Sequence, residues 1–214
     1  MRGSDGASTV YLIVKRFIDV AVSASMLVLT APLQVAVALA ILRRLGRPII
    51  FRQQRAGYLG RTFTLFKFRT MLPPDPARGL TADADRLTPL GLWLRRTSID
   101  ELPSLWNVLR GEMSLVGPRP LLPHYLPLYS PAEARRHEAP PGLTGLAQVS
   151  GRNAMSWQDR FAADVDYVDR RSLKLDAWIV ARTVSAVIRR EGINAPGEAT
   201  MPEFRGSLTP PEVP

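Results

Sequence analysis

The feature that most constrains this chain is an apolar run of 26 residues, Phe17 to Leu42, in which Asp19 is the only charged side chain. As a helix it would be about 39 Å long, enough to cross a hydrocarbon core of about 30 Å. A secretory signal fits poorly, because the run is too long and no small-x-small cleavage site precedes the arginines that follow. Two details argue against a simple crossing. Pro32 removes a backbone donor and kinks a helix, and the arm before it, Phe17 to Ala31, would reach only about 22 Å. Basic residues also flank both ends, Lys15 and Arg16 before and Arg43, Arg44 and Arg47 after. The positive-inside bias asks for asymmetry in a spanning helix, so both ends here ask to be cytoplasmic. A helix bent at Pro32 that enters and leaves one leaflet satisfies both observations. Ser23, Ser25, Thr30 and Gln34 are placed to satisfy carbonyls freed near the bend. A buried hairpin of a soluble protein and a straight span remain the alternatives on pattern alone.

The other residues suffice for one catalytic-size domain, the whole chain having 214 residues. Ile49 to Met71 reads as a β-hairpin around Ala56-Gly57-Tyr58-Leu59-Gly60. Phe63, Leu65, Lys67 and Arg69 share one face of its second strand, and Phe66 and Phe68 the other. Leu90–Leu94 and Leu102–Leu109 read as helices, the latter with Leu102, Leu105, Trp106 and Leu109 on one stripe. Trp157–Val168 and Leu173–Arg190 are two more, and the last suits either core packing or an interfacial position. The expected class is α+β and mostly helical: a re-entrant hairpin, a short β-hairpin and amphipathic interfacial helices. The divisions expected are an N-terminal segment 1–14, the hairpin 15–47, a catalytic domain 48–191 and a C-terminal tail 192–214.

Cysteine is absent, which excludes disulfides, thiolate metal sites and a cysteine nucleophile. The net charge of +9 favours an anionic partner. Nucleic acid is not expected, since neither zinc-finger spacing nor an RNA-binding aromatic signature appears. The sharpest local feature is Arg95-Arg96-Thr97-Ser98-Ile99-Asp100-Glu101-Leu102-Pro103. Ser98 and Glu101 match a capping box, but that register puts Pro103 where its missing donor is needed. With Asp100 as N-cap, Pro103 falls at N3, where the loss costs nothing. Adjacent carboxylates cannot flank a glycosidic bond, but one can attack phosphorus while the other holds a divalent cation over a phosphate. A charged helix cap is the bland alternative. Lys67, Arg69, Arg95, Arg96, Arg119 and Arg152 are candidate donors to a diphosphate. Arg119 stands between Pro118 and Pro120, which cuts the entropy cost of positioning it. Arg152 follows Gly151, which permits close backbone approach. His124 and His137 have no metal-ligand spacing. Asp164, Asp166 and Asp169 point in different directions on their helix and read as a solvated or ion-paired face.

These residues resemble the bacterial sugar transferases, specifically the small monotopic phosphoglycosyl transferases. The resemblance is carried by Lys15-Arg16-Phe17-Ile18-Asp19, the proline-bent apolar segment, Phe51-Arg52-Gln53-Gln54-Arg55-Ala56-Gly57 and Phe66-Lys67-Phe68-Arg69-Thr70-Met71. It continues through Ser98-Ile99-Asp100-Glu101-Leu102-Pro103, the stretch from Trp106 to Ser114, Val116-Gly117-Pro118-Arg119-Pro120, Pro141-Gly142-Leu143-Thr144-Gly145 and Gly151-Arg152-Asn153. The resemblance implies a re-entrant hairpin at the cytoplasmic face of a bacterial inner membrane. It implies transfer of a sugar 1-phosphate, of the N-acetylated hexosamine type, from a UDP-sugar to polyprenyl (undecaprenyl) phosphate with release of UMP. Asp100 would be the nucleophile, with Glu101 beside it at Mg²⁺. Lys67, Arg95, Pro118, Arg119 and Arg152 would serve the phosphates and nucleotide. Ala31 departs from the serine common before the family's proline, and Ser104 and Glu112 stand where glutamine and aspartate are frequent. A basic membrane-anchored binding module and an inactive scaffold are the competing readings.

Overall fold

A computed structural model describes residues 9–151, 155–189 and 203–206. The apolar run lies within α1, Thr9–Arg44, which keeps Pro32 inside it. It is long and apolar enough to cross a membrane, and only 11% of its most apolar window is buried. That exposure removes the main support for a hairpin buried in a soluble core. Near the proline, Thr30 Oγ1 donates to the Met26 carbonyl and accepts from Gln34 Nε2, so two of the four expected polar side chains engage there. Ser23 is buried, its hydroxyl without a hydrogen-bond partner among the described residues.

The two ends of α1 lie on one body. Tyr11, Lys15, Asp19 and Ser23 are buried at one end and Val37 and Ile41 at the other. Val37, Ile41 and Leu45 pack with Phe68 and Leu94, and Ile99 packs against them. Ile50–Ala56 (β1) and Thr62–Phe68 (β2) form the expected antiparallel hairpin, with Ile50 opposite Phe68 and Arg55 opposite Phe63. Phe63 and Leu65 are buried on one face with Val108 and Met113, while Phe68 turns to the α1 cluster on the other. The alternation of a strand covered on both sides accounts for this division.

Two short helices follow, Asp83–Arg86 (α2) and Pro89–Arg96 (α3). Thr88 caps the second by accepting from the Gly91 N–H, and Pro89 occupies its first turn. Gly91 is required by contact, because a Cβ there would lie 1.8 Å from the Thr70 carbonyl oxygen. Leu105–Arg110 (α4) leads to Ser114–Val116 (β3), which pairs in parallel with Gly142–Thr144 (β4). Gly117 and Gly142 touch through their backbones, since a Cβ on Gly142 would stand 2.1 Å from the Gly117 nitrogen. Pro131–Ala134 (α5), Leu146–Ser150 (α6), Trp157–Arg170 (α7) and Leu173–Arg189 (α8) complete the helices. The structure is mostly helical with two small sheets, as expected for the α+β class.

The expected stripe on the fourth helix is not formed. Leu105 and Val108 are buried and Trp106 is 52% exposed. The helix proper begins only at Leu105, after a 3₁₀ turn over Ile99–Ser104. The tighter turn advances the side chains further per residue and shifts the phase. Trp178 is likewise half-exposed on α8, beside exposed Val180, Val184 and Ile188.

Candidate active site

Asp100 and Glu101 stand in the 3₁₀ turn Ile99–Ser104, so neither capping register expected from the sequence is formed. Ser98 adopts a left-handed backbone with φ 56° and makes no side-chain cap. Its carbonyl accepts from the Glu101 N–H at 3.2 Å, the i to i+3 pattern of a 3₁₀ turn. Pro103 sits within this turn. Ser104 Oγ fastens the turn to the hairpin by donating to the Phe66 carbonyl at 2.7 Å. Asn107 adds two bonds to the same strand, accepting from Phe66 N–H and donating to the Thr64 carbonyl. These bonds set the dyad beside Lys67.

The two carboxylates have different surroundings. Glu101 Oε1 accepts from Lys67 Nζ and, at 3.2 Å, from Arg119. Burial alone would raise the Glu101 pKa, but Lys67 and Arg119 outweigh it and hold the carboxyl well below its usual range. Asp100 is 9% exposed, and its carboxylate takes no hydrogen bond or ion pair among the described residues. Burial, then the neighbouring Glu101 charge, pushes its pKa up to about 6 against the pull of Lys67, Arg95 and Arg119. At neutral pH it is an ionised, poorly solvated carboxylate, while Glu101 is a fixed anion tied to two cations.

A cleft opens beside the dyad, lined by Arg55, Lys67, Glu101, Ser104, Arg119 and Pro120, among others. Lys67 reaches it from β2, on the face shared with Leu65. Arg119 reaches it from the strand-to-loop segment after β3, where the Pro118 carbonyl accepts from Gly142 N–H at 2.9 Å. Pro118 is buried and holds that segment against β4. Arg95 Nε donates to Thr70 Oγ1 at 3.1 Å, close enough to Asp100 for the two charges to interact. Arg152 lies outside the described residues. Pro32 is within α1 and does not line this cleft. Arg69 belongs elsewhere: it donates to the carbonyls of Leu45, Gly46 and Arg47 just after α1, which removes it from the phosphate donors.

Arg55 was not among the expected site residues. It lines the cleft, donates to the Pro120 carbonyl at 3.3 Å, and has its pKa lowered to about 10 by burial and by Arg119. The available signal was alternation, which puts Arg55 on the Gln53 face of β1. The pairing of Arg55 with Phe63 was not in the pattern.

Among the described residues, no three His, Cys, Asp or Glu side chains stand together as a metal cluster. Asp100 and Glu101 supply hard carboxylate oxygens, Glu101 lining the cleft and Asp100 buried beside it without lining it. Two carboxylates completed by substrate phosphate oxygens suit Mg²⁺ better than a dedicated protein cage does, so the donor set fits that ion. Three of the aspartates on α7 are ion-paired: Asp164 with Arg136, Asp166 with Arg170 and Asp169 with Arg135. The first of these is buried and not solvated.

The chain matches the family profile "Bacterial sugar transferase" over residues 10–190. It belongs to that family. It is 46% identical over 197 residues to "Uncharacterized sugar transferase EpsL" of Bacillus subtilis (strain 168), covering 92% of this chain and 98% of the relative. It is 46% identical over 186 residues to "UDP-glucose:undecaprenyl-phosphate glucose-1-phosphate transferase" of Caulobacter vibrioides, covering 81% of this chain and 69% of that one. It is 37% identical over 196 residues to "Undecaprenyl-phosphate galactose phosphotransferase" of Salmonella typhimurium, covering 83% of this chain but 41% of that protein. The bacterial sugar transferase match spans α1, the dyad and Arg119 together.

Proposed function

We propose that this bacterial sugar transferase is a phosphoglycosyl transferase that moves a sugar 1-phosphate from a UDP-sugar to undecaprenyl phosphate and releases UMP. The observation that carries the reading is the division of labour in the dyad: Glu101 is held by Lys67 and Arg119 while Asp100 is buried and has no hydrogen bond or ion pair among the described residues. An Asp100 carboxylate oxygen attacks the phosphorus that bears the sugar. The bond from that phosphorus to the bridging oxygen breaks, and UMP leaves with the electron pair. The resulting aspartyl-phosphosugar is then attacked by a phosphate oxygen of the lipid, which forms the diphosphate linkage and returns Asp100 as a carboxylate. Lys67, Arg95 and Arg119 neutralise the diphosphate so that an anion can approach it. Arg152 would join them from its place after Gly151, and buried Pro118 fixes the backbone from which Arg119 projects. A Mg²⁺ held by Asp100 and Glu101 would supply further charge neutralisation at the phosphates.

The donor is read as a UDP-sugar of the N-acetylated hexosamine type. Glucose and galactose, printed in the names of relatives, belong beside it in any panel. The site is read as lying at the cytoplasmic face of the inner membrane, with α1 dipping into one leaflet and bending at Pro32. The packing of both α1 ends on one body supports this. Arg16 and Ile41 would be about 38 Å apart along a straight helix. Yet a short route of contacts joins them: Arg16 to the Val108 carbonyl, Asn107 to Phe66, and Phe68 to Ile41. The half-exposed tryptophans Trp93, Trp106 and Trp178 suit a headgroup level.

The test is UMP release by the membrane-purified protein with Mg²⁺, undecaprenyl phosphate and a panel of UDP-sugars, wild type against Asp100→Asn. Release by wild type that falls at least ~10³-fold in the variant is expected. Release that survives would remove Asp100 as nucleophile and favour direct attack by the lipid phosphate.

A further inference from the structure

Phe204 belongs to the stretch that reads in the sequence as a tail, and it lies beyond the end of the family match at residue 190. In the structure it is 3% exposed and sits in a cluster with Leu121, Tyr125, Tyr129 and Phe161. Its ring stacks on Tyr129 at 5.8 Å and meets Phe161 edge-on at 5.0 Å. The Tyr125 hydroxyl accepts from the Phe204 N–H at 3.3 Å. A lone apolar side chain on a solvent-borne tail would not be enclosed on this many sides by rings.

The two rings that Phe204 backs have a second neighbour. The Arg136 guanidinium lies 5.8 Å from the Tyr129 ring centre and 5.5 Å from that of Phe161. Arg136 is a fully buried cation, paired with Asp164 at 2.6 Å and 3.0 Å. Its remaining bond goes to the Arg119 carbonyl at 2.7 Å, and the Arg119 side chain in turn holds Glu101. A cation removed from water needs its partners and its cavity walls kept in place. From Phe204 to the dyad there is thus a continuous series of contacts: aromatic box, buried guanidinium, Arg119 backbone, Arg119 side chain, Glu101.

We infer that Phe204 is an intramolecular clamp, a positioning residue that closes the aromatic box around Arg136 and thereby fixes Arg119 in the donor-phosphate site. The inference deepens the reading of the site as a UDP-sugar phosphate site and rests on it for the ligand class. The clamp itself rests on the packing alone. Phe204 touches no reacting atom. It acts through the guanidinium that anchors the Arg119 carbonyl.

The experiment uses the full chain in detergent or nanodiscs, with Phe204→Ala, Phe204→Leu and Glu203→Gln compared with wild type. Amide hydrogen exchange is read over residues 116–122, and the KM for the UDP-sugar and kcat are read by UMP release. With Phe204→Ala, exchange over 116–122 is expected to quicken and the donor KM to rise about 3- to 30-fold, with kcat changed far less. Phe204→Leu, which keeps most of the apolar volume, should recover most of both. Glu203→Gln should leave both near wild type, because the Glu203–His124 pair is exposed on both sides. If Phe204→Ala lowers the Tm but leaves 116–122 exchange and KM unchanged, Phe204 only anchors the chain end and the inference falls. If wild type releases no UMP with any donor in the panel, the transferase reading fails. The exchange comparison then still decides the clamp.

Discussion

The two arms of α1 dock on the same body by opposite means. Before Ser25 the arm is held by polar bonds: Tyr11 and Lys15 on Asp176 at 3.0 Å and 2.9 Å, and Arg16 on the Val108 and Leu109 carbonyls at 2.6 Å each. Asp19 accepts from the Leu115 N–H at 3.0 Å. Beyond Pro32 the arm is held by apolar packing of Val37, Ile41 and Leu45 on Phe68 and Leu94. Charged bonds have one geometry each and fix a register, whereas apolar contacts accept small slides at little cost. The arms also underlie different halves of the site. The polar arm grips α4 and β3, which run on to Arg119. The apolar arm lies under β2, α3 and Ile99, which carry Lys67, Arg95 and the dyad. The long apolar helix thus locates the site by its first arm and supports it by its second.

The polar arm should be the more fragile. Lys15→Met leaves Asp176 buried without its cation, its side chain being 12% exposed. A loss of about 3–5 kcal/mol is expected, read as a lower midpoint in thermal or denaturant unfolding in detergent. The double variant Lys15→Met with Asp176→Leu should recover part of it, because no unpaired charge remains although the Tyr11 and Tyr167 hydroxyls lose their bond to Asp176. If the single variant costs under about 1 kcal/mol, the arm is not register-fixed and the comparison breaks.

The apolar arm should lose stability by volume alone. Ile41 is fully buried, and Ile41→Ala is expected to cost about 2–4 kcal/mol through lost burial and the cavity left behind. Ile41→Val should cost about 1 kcal/mol and leave the donor KM unchanged. A large KM change with Ile41→Val would mean that the second arm sets geometry as tightly as the first.

Much of this architecture was legible in the sequence, and the gaps share one cause. The apolar run, the β-hairpin, the dyad and the cations flanking it follow from local pattern. The flanking charges Lys15, Arg16 and Asp19 were visible as charges, but their partners lie 90 residues or more along the chain and no local pattern names them. Arg69 looked like a phosphate donor because a basic residue on a strand gives no hint that three carbonyls await it. Asp164 reads as part of a solvated or ion-paired face, and its burial against Arg136 is not readable from local pattern. The capping box failed at Ser98 because a tertiary fastening, Ser104 to Phe66, selects a 3₁₀ turn over the cap.

The dyad gives a pH test that is independent of both arms. Asp100 has a raised pKa in the folded state, about 6 against an aspartate's usual value near 4. The folded protein therefore binds more protons than the unfolded one between these values, and its stability falls as pH rises through that window. The ionised carboxylate then costs stability at every pH above about 6. Asp100→Asn should stabilise the metal-free protein by about 1–3 kcal/mol at pH 8, and the gain should vanish by about pH 4. The measurement is Tm against pH for both proteins in EDTA. A gain that persists unchanged at pH 4 would trace to packing and not to charge. A gain absent at pH 8 would mean that Asp100 is not held in the strained, poorly solvated state that the nucleophile reading needs.

The smallest effect expected is at Pro32, and it follows from the same comparison. A proline inside a helix costs about 3 kcal/mol relative to an ordinary residue, so Pro32→Leu favours a straight α1 by about that amount. On the proposed re-entrant reading, straightening would have to release one arm, at the cost of either the charged bonds or the Ile41 cluster, each of similar or greater size. Pro32→Leu alone should leave cysteines placed at positions 13 and 44 labelled from the same side of the membrane, with only a minor population reversed. Combined with Lys15→Met, the first dock is weakened by about 3–5 kcal/mol and the balance tips, so labelling at position 13 should move to the opposite face. Opposite-side labelling in Pro32→Leu alone would make the proline, and not the docking of the two arms, the element that holds the helix in one leaflet.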